Sequence, residues 1–432
     1  MVDYHLVVLV HGIWGNSSHL AYVEKQMKEQ IKTNDGSKLL LHKTGSHSGY
    51  LTYDGIDVNG KRISDEIIEQ TSKIESTIGN KVTKFSIIGY SLGGLISRYA
   101  IGILHSQGYF DKVEPINFNT FCTPHVGVSN PQTHNLSVRV YNSVAPHFLA
   151  LTGYQFFLRD KVGQLNKPLL VWMADPNSPF YKSLKNFKYK SLYANVLNDK
   201  RCSWFTASIS RDDPINSMYN KSAKNIIIED YIKGYESTII NIQKPFYFER
   251  SKHSVTYNDG SKIRFLWKTL NWIKIISTII LYTPVWAISF IVSSIYQRIK
   301  MNNRLKEFFK TNDLLHLYKP STGSESDSDE AGGIFSELSE KVQDEQEDIV
   351  EDMYSAMNYK ESYSKHIIPI KLDSHQKFIV DKLNTLNWKK FPIILRNTVS
   401  THAGAIVRHN DPHFDEGKVV VAHFINEIFR LE

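Results

Sequence analysis

The chain has 432 residues, of which 41% are hydrophobic and 22% are charged. This composition is typical of a globular protein and excludes a chain that is disordered throughout. Two cysteines exclude a disulfide scaffold. The first strand-like run begins at Tyr4, which leaves no room for a signal peptide, so we expect a reducing location that faces the cytosol.

Charge is unevenly distributed along the chain. Residues 324–352 hold twelve acids and one base, and the rest of the chain has 50 bases and 32 acids, a net charge of +18. A basic surface favours an anionic partner, either nucleic acid or phospholipid. We expect no nucleic acid, because many of the bases flank an apolar segment instead of alternating with stacking aromatic residues.

Short apolar runs alternate with amphipathic runs in the first 121 residues. In chain order, the predicted elements are a strand at 4–10, a helix at 19–32 capped by Ser17-Ser18, a strand at 38–43, a helix at 61–77, a strand at 85–88, a helix at 92–105 and a strand at 115–121. This alternation predicts an α/β fold, a mostly parallel sheet with helices on both faces.

The pattern changes after residue 129. Residues 130–188 are aromatic and loop-rich, and we interpret them as an irregular, cap-like stretch. Further elements are a strand at 191–197, a strand at 392–396 and a closing helix at 419–429. The domain prediction is an N-terminal part of the core at 1–214, an insertion at 215–365 and a C-terminal part of the core at 366–432.

A Gly-x-Ser-x-Gly motif follows the strand at 85–88. In Gly89-Tyr90-Ser91-Leu92-Gly93, a buried strand enters the motif and a helix leaves it, which is the context that this motif requires. The sharp turn lifts the Ser91 hydroxyl above the sheet, and the Leu92 N–H at the helix start can stabilise an oxyanion. Ser91 is therefore the predicted nucleophile.

A His-Gly pair follows the first strand, in the sequence His11-Gly12-Ile13-Trp14. A loop in this position commonly supplies a second N–H to the oxyanion. We assign that N–H to Ile13, with Trp14 as the alternative.

At this point the chain resembles the fungal branch of the serine esterases of the α/β-hydrolase fold, and among them the lipid-droplet phospholipases of yeasts. The segments that carry the resemblance are LVHGIWGN at 9–16, TYDGIDVNGKRI at 52–63, IIGYSLGGLISRYA at 87–100, FCTPHVGV at 121–128, LYANVLNDKRCSWFTASI at 192–209 and THAGAIVRH at 401–409. The resemblance implies hydrolysis of phospholipid acyl esters at lipid droplets.

The acid and the base follow the nucleophile in chain order in this fold. Asp199 comes after the strand at 191–197 and is the predicted acid, with Asp212 and Asp213 as competitors. His402 lies in a loop after the last strand and is the predicted base, with His409 as the alternative. No ligand cluster has metal-binding spacing, and a serine mechanism needs no metal, so we expect no metal and no cofactor.

Residues 275–296 carry no charge, are flanked by bases on both sides and could cross a bilayer. A single crossing would separate Ser91 from His402, so we expect a hairpin bent at Pro284 or a helix in the membrane interface, on a lipid monolayer or membrane surface. The predicted membrane-binding residues are Trp272, Ile275, Ile276, Ile279, Ile280, Leu281, Pro284, Trp286, Phe290 and Ile291. Residues 321–352 are predicted to form an acidic, disordered loop.

These patterns together predict an interfacial serine lipase that cleaves acyl esters of glycerophospholipids through an acyl-enzyme on Ser91. Its expected location is the cytosolic face of lipid droplets, with the endoplasmic reticulum as a second membrane. One alternative is a lipase for monoacylglycerol or another neutral glyceride. The other is a tethering protein that binds lipid droplets without catalysis.

Overall fold

The computed structural model describes residues 2–33, 36–131, 136–163, 165–197, 199–213, 226–228, 230–241, 247–248, 296, 298–318 and 368–432. All ten predicted membrane-binding residues and the acidic loop at 321–352 lie outside these ranges. Within the described part of the chain, no helix is both long enough and apolar enough to cross a membrane.

Six parallel strands form the central sheet. In their spatial order they are β10 (Lys389–Ile393), β5 (Tyr189–Asn195), β4 (Glu114–Phe121), β3 (Asn80–Tyr90), β1 (Val2–Val10) and β2 (Lys38–Lys43). The chain order of these strands differs from their spatial order, because helical crossovers carry the chain over the sheet. The predicted α/β fold is confirmed, and each predicted core strand overlaps an observed strand. The largest differences are at β3, which begins five residues earlier than predicted, and at β10, which begins and ends three residues earlier.

Helices cover the sheet because their apolar faces need burial. They include α1 (Ala21–Gln30), α2 (Ile56–Glu75), α3 (Leu92–Ser106), α10 (Ser374–Asn384) and α12 (Asp415–His423), which continues as a π-helical turn over Phe424–Ile428. Helix α2 begins five residues before the predicted start. The predicted cap at Ser17-Ser18 is wrong: Asn16 accepts the N–H of Ser18 and caps a 3-10 turn, Ser17–Leu20, ahead of α1.

The interpretation of 130–188 as irregular is also wrong. This stretch contains four helices: α4 (Leu136–Phe148), α5 (Ala150–Phe156), α6 (Leu169–Trp172) and α7 (Pro179–Asn186). Prolines and glycines make these helices hard to recognise from the sequence. Pro146 lies inside α4, and Pro179 is the first residue of α7. Pro179 fits there because the first helical N–H has no partner within the helix.

The described structure also contains further helices and two strand pairs. They are α8 (Trp204–Ser208), α9 (residues 298–311), α11 (Thr401–Gly404), and two small antiparallel pairs, β6 (Asp212–Asp213) with β9 (Ile368–Pro369) and β7 (Ile226–Ile227) with β8 (Tyr247–Phe248). One compact unit contains Met1–Phe248 and Asp313–Glu432, and a second contains Glu249–Asn312. The predicted boundaries at 214 and 365 fall outside the described residues and stay predictions.

Candidate active site

Ser91 lies at the sharp turn between β3 and α3. Its backbone has φ 55° and ψ −127°, a region that side chains rarely adopt, and its side chain is mostly buried. The Ser91 N–H donates to Phe121 O at 2.9 Å, which ties the turn to the end of the neighbouring strand β4. The hydrogen bond to β4 therefore maintains the strained backbone conformation of Ser91, as expected for a nucleophile at a strand-to-helix turn.

Two glycines make this turn possible, because backbone atoms of neighbouring segments lie too close to them to leave space for a side chain. A Cβ on Gly93 would lie 2.2 Å from Val10 O and 2.5 Å from His11 O. A Cβ on Gly89 would lie 2.4 Å from the Cα of Gly94. The glycines of the motif thus allow α3 to start directly against the end of β1.

The predicted acid and the predicted base, Asp199 and His402, are joined by a hydrogen bond. His402 Nδ1 donates to Asp199 Oδ2 at 2.8 Å, although 203 positions separate the two residues. Asp199 Oδ1 accepts hydrogen bonds from the backbone N–H groups of Arg201, at 3.0 Å, and Cys202, at 2.9 Å. Asp199 follows β5, and His402 lies in α11 after β10, which is the neighbour of β5 in the sheet.

Electrostatics keep the Asp199 carboxyl ionised. Burial alone would raise the pKa of Asp199, but the charge and hydrogen bond of His402 oppose this effect. Hydrogen bonds from the Cys202 N–H and the Asn195 amide act in the same direction, and the resulting pKa lies below the usual value. A carboxylate can therefore hold the imidazole in the tautomer that carries its proton on Nδ1.

The predicted base, His402, and the predicted nucleophile, Ser91, lie at the same edge of the sheet. The ring of Tyr90, the residue before Ser91, lies 5.1 Å from the His402 ring, and its hydroxyl donates to His402 O at 3.1 Å. His402 Nε2 is buried and has no hydrogen-bond partner among the described residues. No hydrogen bond between Ser91 Oγ and His402 Nε2 is recorded, and such bonds are often loose before substrate binds.

The competing residues occupy other places. Asp212 and Asp213 form β6, which pairs with β9 in a separate two-stranded sheet. His409 is exposed, and its Nε2 lies 3.1 Å from Arg408 Nε. The predicted acid and base are thus the two residues that the fold brings into contact.

The loop after β1 lies against the nucleophile. A Cβ on Gly12 would come within 2.7 Å of the Ser91 Cβ. The Trp14 N–H donates to Thr52 Oγ1 at 3.2 Å and is therefore engaged. No hydrogen bond of the Ile13 N–H is recorded in the described structure, and the Leu92 N–H is the first of α3, where no intrahelical acceptor exists.

A buried pair of histidines supports this loop, and sequence reasoning missed it. The rings of His11 and His47 stack with centroids 3.7 Å apart, and His47 Nε2 donates to His11 O at 3.1 Å. Burial, together with the charge of His11, lowers the pKa of His47 to about 3, so His47 stays neutral. His47 lies within the conspicuous string Gly45-Ser46-His47-Ser48-Gly49, but only the fold shows its contact with His11.

Two more residues at this edge were not predicted. Asn195, the last residue of β5, donates to Asp199 Oδ2 at 3.1 Å and to Cys122 Sγ at 3.2 Å. Cys122 directly follows β4 and is fully buried, which raises the pKa of its thiol well above the usual value. Both positions follow from the rule that side chains at the carboxyl ends of parallel strands meet at one edge.

The chain has relatives among fungal proteins. It is 27% identical over 200 residues to "Putative lipase C4A8.10" of Schizosaccharomyces pombe, covering 45% of this chain and 25% of the relative. It is 30% identical over 208 residues to "Putative lipase ROG1" of Saccharomyces cerevisiae, covering 48% of this chain and 28% of the relative. The matched region thus spans about a quarter of the length of these relatives.

Among solved structures, the chain is similar to phospholipase PlaB from Legionella pneumophila bound to thio-NAD. That similarity has a TM-score of 0.26 at 15% identity and covers 45% of this chain and 39% of the other. The order of the strands in the sheet establishes the fold. Residues 2–210 match the family described as "Putative serine esterase (DUF676)", which confirms the resemblance to serine esterases and includes Ser91 and Asp199. Over these residues, about half of the chain, the sequence is similar to that esterase family.

Proposed function

We propose that this protein is a serine hydrolase that cleaves carboxylic esters of lipids. The observation that carries the proposal is the 2.8 Å bond between His402 Nδ1 and Asp199 Oδ2, formed beside a strained serine at a strand-to-helix turn. The match of residues 2–210 to a serine esterase family supports the same chemistry.

In the proposed reaction, Ser91 Oγ attacks the ester carbonyl while His402 Nε2 takes the hydroxyl proton. Asp199 keeps the imidazole oriented and stabilises the imidazolium. The tetrahedral oxyanion accepts hydrogen bonds from the backbone N–H groups of Leu92 and Ile13. Ile13 is preferred to Trp14 because the Trp14 N–H already donates to Thr52 Oγ1. His402 then passes the proton to the leaving alkoxide, and water releases the fatty acid from the acyl-enzyme by the same route in reverse.

The proposed substrate is a glycerophospholipid at a lipid surface. Its support is the naming of the fungal relatives as lipases and the basic balance of the chain outside 324–352. The uncharged segment at 275–296, with its basic flanks, would attach the protein to the cytosolic face of a lipid droplet or to the endoplasmic reticulum. Neutral glycerides are the alternative substrate.

Exposed apolar side chains near the site give a second argument for a lipid surface. Trp14 and Tyr50 are 46% and 48% exposed on the segments that flank the nucleophile. Helix α4 exposes a stripe at four-residue spacing, formed by Leu136, Val140 and Val144. Helix α5, which follows and contacts α4, is tied to the Tyr50 segment because Thr152 Oγ1 donates to Thr52 O at 2.6 Å.

Hydrolysis of droplets would test the substrate. Purified wild type and Ser91→Ala are incubated with triolein droplets coated with phospholipid, and the products are identified by mass. Fatty acid and lysophospholipid from the wild type alone would support the proposal. Free glycerol or monoacylglycerol would favour a neutral glyceride lipase, and droplet binding without any product would favour a tether.

A second experiment tests the exposed stripe. Val140→Ser with Val144→Ser should weaken droplet binding by about tenfold or more, because each buried methyl pair contributes roughly 1 kcal/mol at a lipid surface. The matched control is Ile78→Ser, since Ile78 is fully exposed just before β3, at the opposite end of that strand from Ser91. Equal loss in both variants, measured by droplet flotation, would contradict a role for α4.

A further inference from the structure

The fold brings a third metal-ligating side chain to the Asp199–His402 pair. Ligand atoms of Cys122, Asp199 and His402 all lie within 4.8 Å of one another. Cys122 reaches this place because its N–H donates to Tyr193 O at 2.9 Å, which extends the pairing of β4 with β5 by one residue. The sequence showed no metal-binding spacing because these residues lie far apart along the chain.

A thiolate, an imidazole and a carboxylate form a ligand set that suits Zn²⁺, with a fourth position left for water. Tetrahedral Zn²⁺ with ligands at about 2.0–2.3 Å places its donor atoms roughly 3.3–3.7 Å apart. The three side chains would therefore need to move by only about 1 Å. The negative charges of the thiolate and the carboxylate would balance the charge of the ion.

Asn195 holds two of these ligands in place when no ion is bound. Its buried amide nitrogen lies 3.2 Å from Cys122 Sγ, 3.1 Å from Asp199 Oδ2 and 3.3 Å from Thr401 O. One amide has two N–H bonds for three acceptors, and its Oδ1 has no partner within the described residues. This crowded polar arrangement keeps the sulfur directed toward the carboxylate.

We propose that Cys122, Asp199 and His402 bind a thiophilic divalent cation such as Zn²⁺, and that this ion inhibits the enzyme. The inhibitory part rests on the proposed serine mechanism, whereas binding does not. The ion would replace the proton of the Cys122 thiol, which passes to solvent. It would also occupy His402 Nδ1, so that the neutral imidazole carries its proton on Nε2 and can no longer accept the proton of Ser91.

Cobalt binding tests the site without any activity measurement. The reduced full-length chain is titrated with Co²⁺, and the near-ultraviolet absorption of a thiolate–Co²⁺ bond is recorded for wild type, Cys122→Ser and Cys202→Ser. Cys202 is the matched control, because it is also free, buried and adjacent to Asp199 but is outside the cluster. We expect the band in wild type and Cys202→Ser and its loss in Cys122→Ser and Cys122→Ala. An unchanged band in folded Cys122 variants would overturn the site.

Inhibition is then measured as the rate of hydrolysis of a soluble ester at increasing Zn²⁺ concentrations. The rate of each variant is divided by the rate of the same variant in the presence of a chelator. Zn²⁺ should inhibit wild type and Cys202→Ser reversibly, and Cys122→Ser should need at least about tenfold more Zn²⁺. Equal inhibition of all three would overturn the inhibitory role. If the chain hydrolyses no ester, the cobalt band still decides whether the metal site exists, so failure of the proposed function and failure of the site are distinguishable.

Discussion

At the scale of single residues, Ser91 keeps an unfavourable backbone conformation that costs on the order of 1–3 kcal/mol. The conformation persists because the Ser91 N–H is bonded to Phe121 O and because Gly12 packs against its side chain. The acid and base show the opposite situation, since each is stabilised by its partner. This combination of a strained nucleophile and a relaxed acid–base pair is expected at a preorganised site.

Asp199→Asn tests the role of the carboxylate. The amide has nearly the same shape but cannot hold His402 with its proton on Nδ1, so kcat should fall by about 10⁴-fold with little change in KM. Steady-state hydrolysis of a soluble ester measures both constants. A fall of less than tenfold would show that Asp199 does not orient the base.

The same variant should change the stability of the protein with pH. Since the folded-state pKa of Asp199 lies below its unfolded value, its contribution is complete above about pH 4 and is lost as pH falls further. Urea denaturation of wild type and Asp199→Asn should therefore show a difference in unfolding free energy that shrinks in acid. A difference that grows in acid would contradict the lowered pKa.

His47→Ala tests the support of the oxyanion loop. The change leaves the buried His11 carbonyl without its donor, which should cost about 1–3 kcal/mol of unfolding free energy. It should also lower kcat more than it changes KM, because the loop positions the Ile13 N–H. His47→Gln keeps a donor and should recover part of kcat, whereas equal kcat values for wild type and His47→Ala would rule out the positioning role.

At the scale of elements, close packing between the end of β1 and the start of α3 fixes the site. Gly93→Ala should destabilise the protein by about 1–3 kcal/mol and lower activity, because its Cβ would meet two carbonyl oxygens of the β1 end. Gly45→Ala is the control, since nothing lies within 4 Å of its Cβ position. Thermal unfolding and ester hydrolysis of the two variants compare these positions, and equal effects would contradict the packing argument.

The elements also show what sequence patterns can and cannot predict. The core strands were predicted because buried parallel strands are continuous apolar runs, and the Gly-x-Ser-x-Gly turn was recognised from its flanks. The helices between 136 and 186 were missed because α5, α6 and α7 have at most eight residues and because Pro146 interrupts the pattern of α4. The edge of the sheet where Asn195 and Cys122 lie could be inferred, but their contacts depend on which strands are neighbours. The role of His47 depends on a contact between two loops, which the sequence does not specify.

At the scale of the whole molecule, buried titratable groups connect stability to pH. Four histidines have lowered pKa values, mainly because they are buried. They are His11, His47, His125 and His423. These neutral side chains contribute fully to the stability of the folded protein above about pH 6.5, the pKa of histidine in the unfolded chain. The contribution is lost as pH falls below that value. Burial also raises the pKa values of Asp57 and Asp160, the latter to about 7, and these two groups act in the opposite direction.

His19 and His105 also have lowered pKa values, and Asp212 has a raised one. Among the described residues, six such histidines outnumber three such acids, so the protein should lose stability between pH 6.5 and pH 4. The expected slope is about 1.4 kcal/mol per pH unit for each net proton that folding excludes. Urea denaturation at a series of pH values measures this slope, and His47→Gln should make it shallower. A stability that rises as pH falls through this range would contradict the assignment of these histidines as neutral.

The whole sheet is needed to assemble the site, because its residues follow four different strands. The central claim is that this assembly makes Ser91 nucleophilic, and covalent labelling tests it most directly. A fluorophosphonate should modify Ser91, as located by peptide mass spectrometry, and labelling should disappear in Ser91→Ala and slow by at least about 10³-fold in His402→Ala. A folded wild type that is not labelled, or is labelled at another residue, would contradict the account.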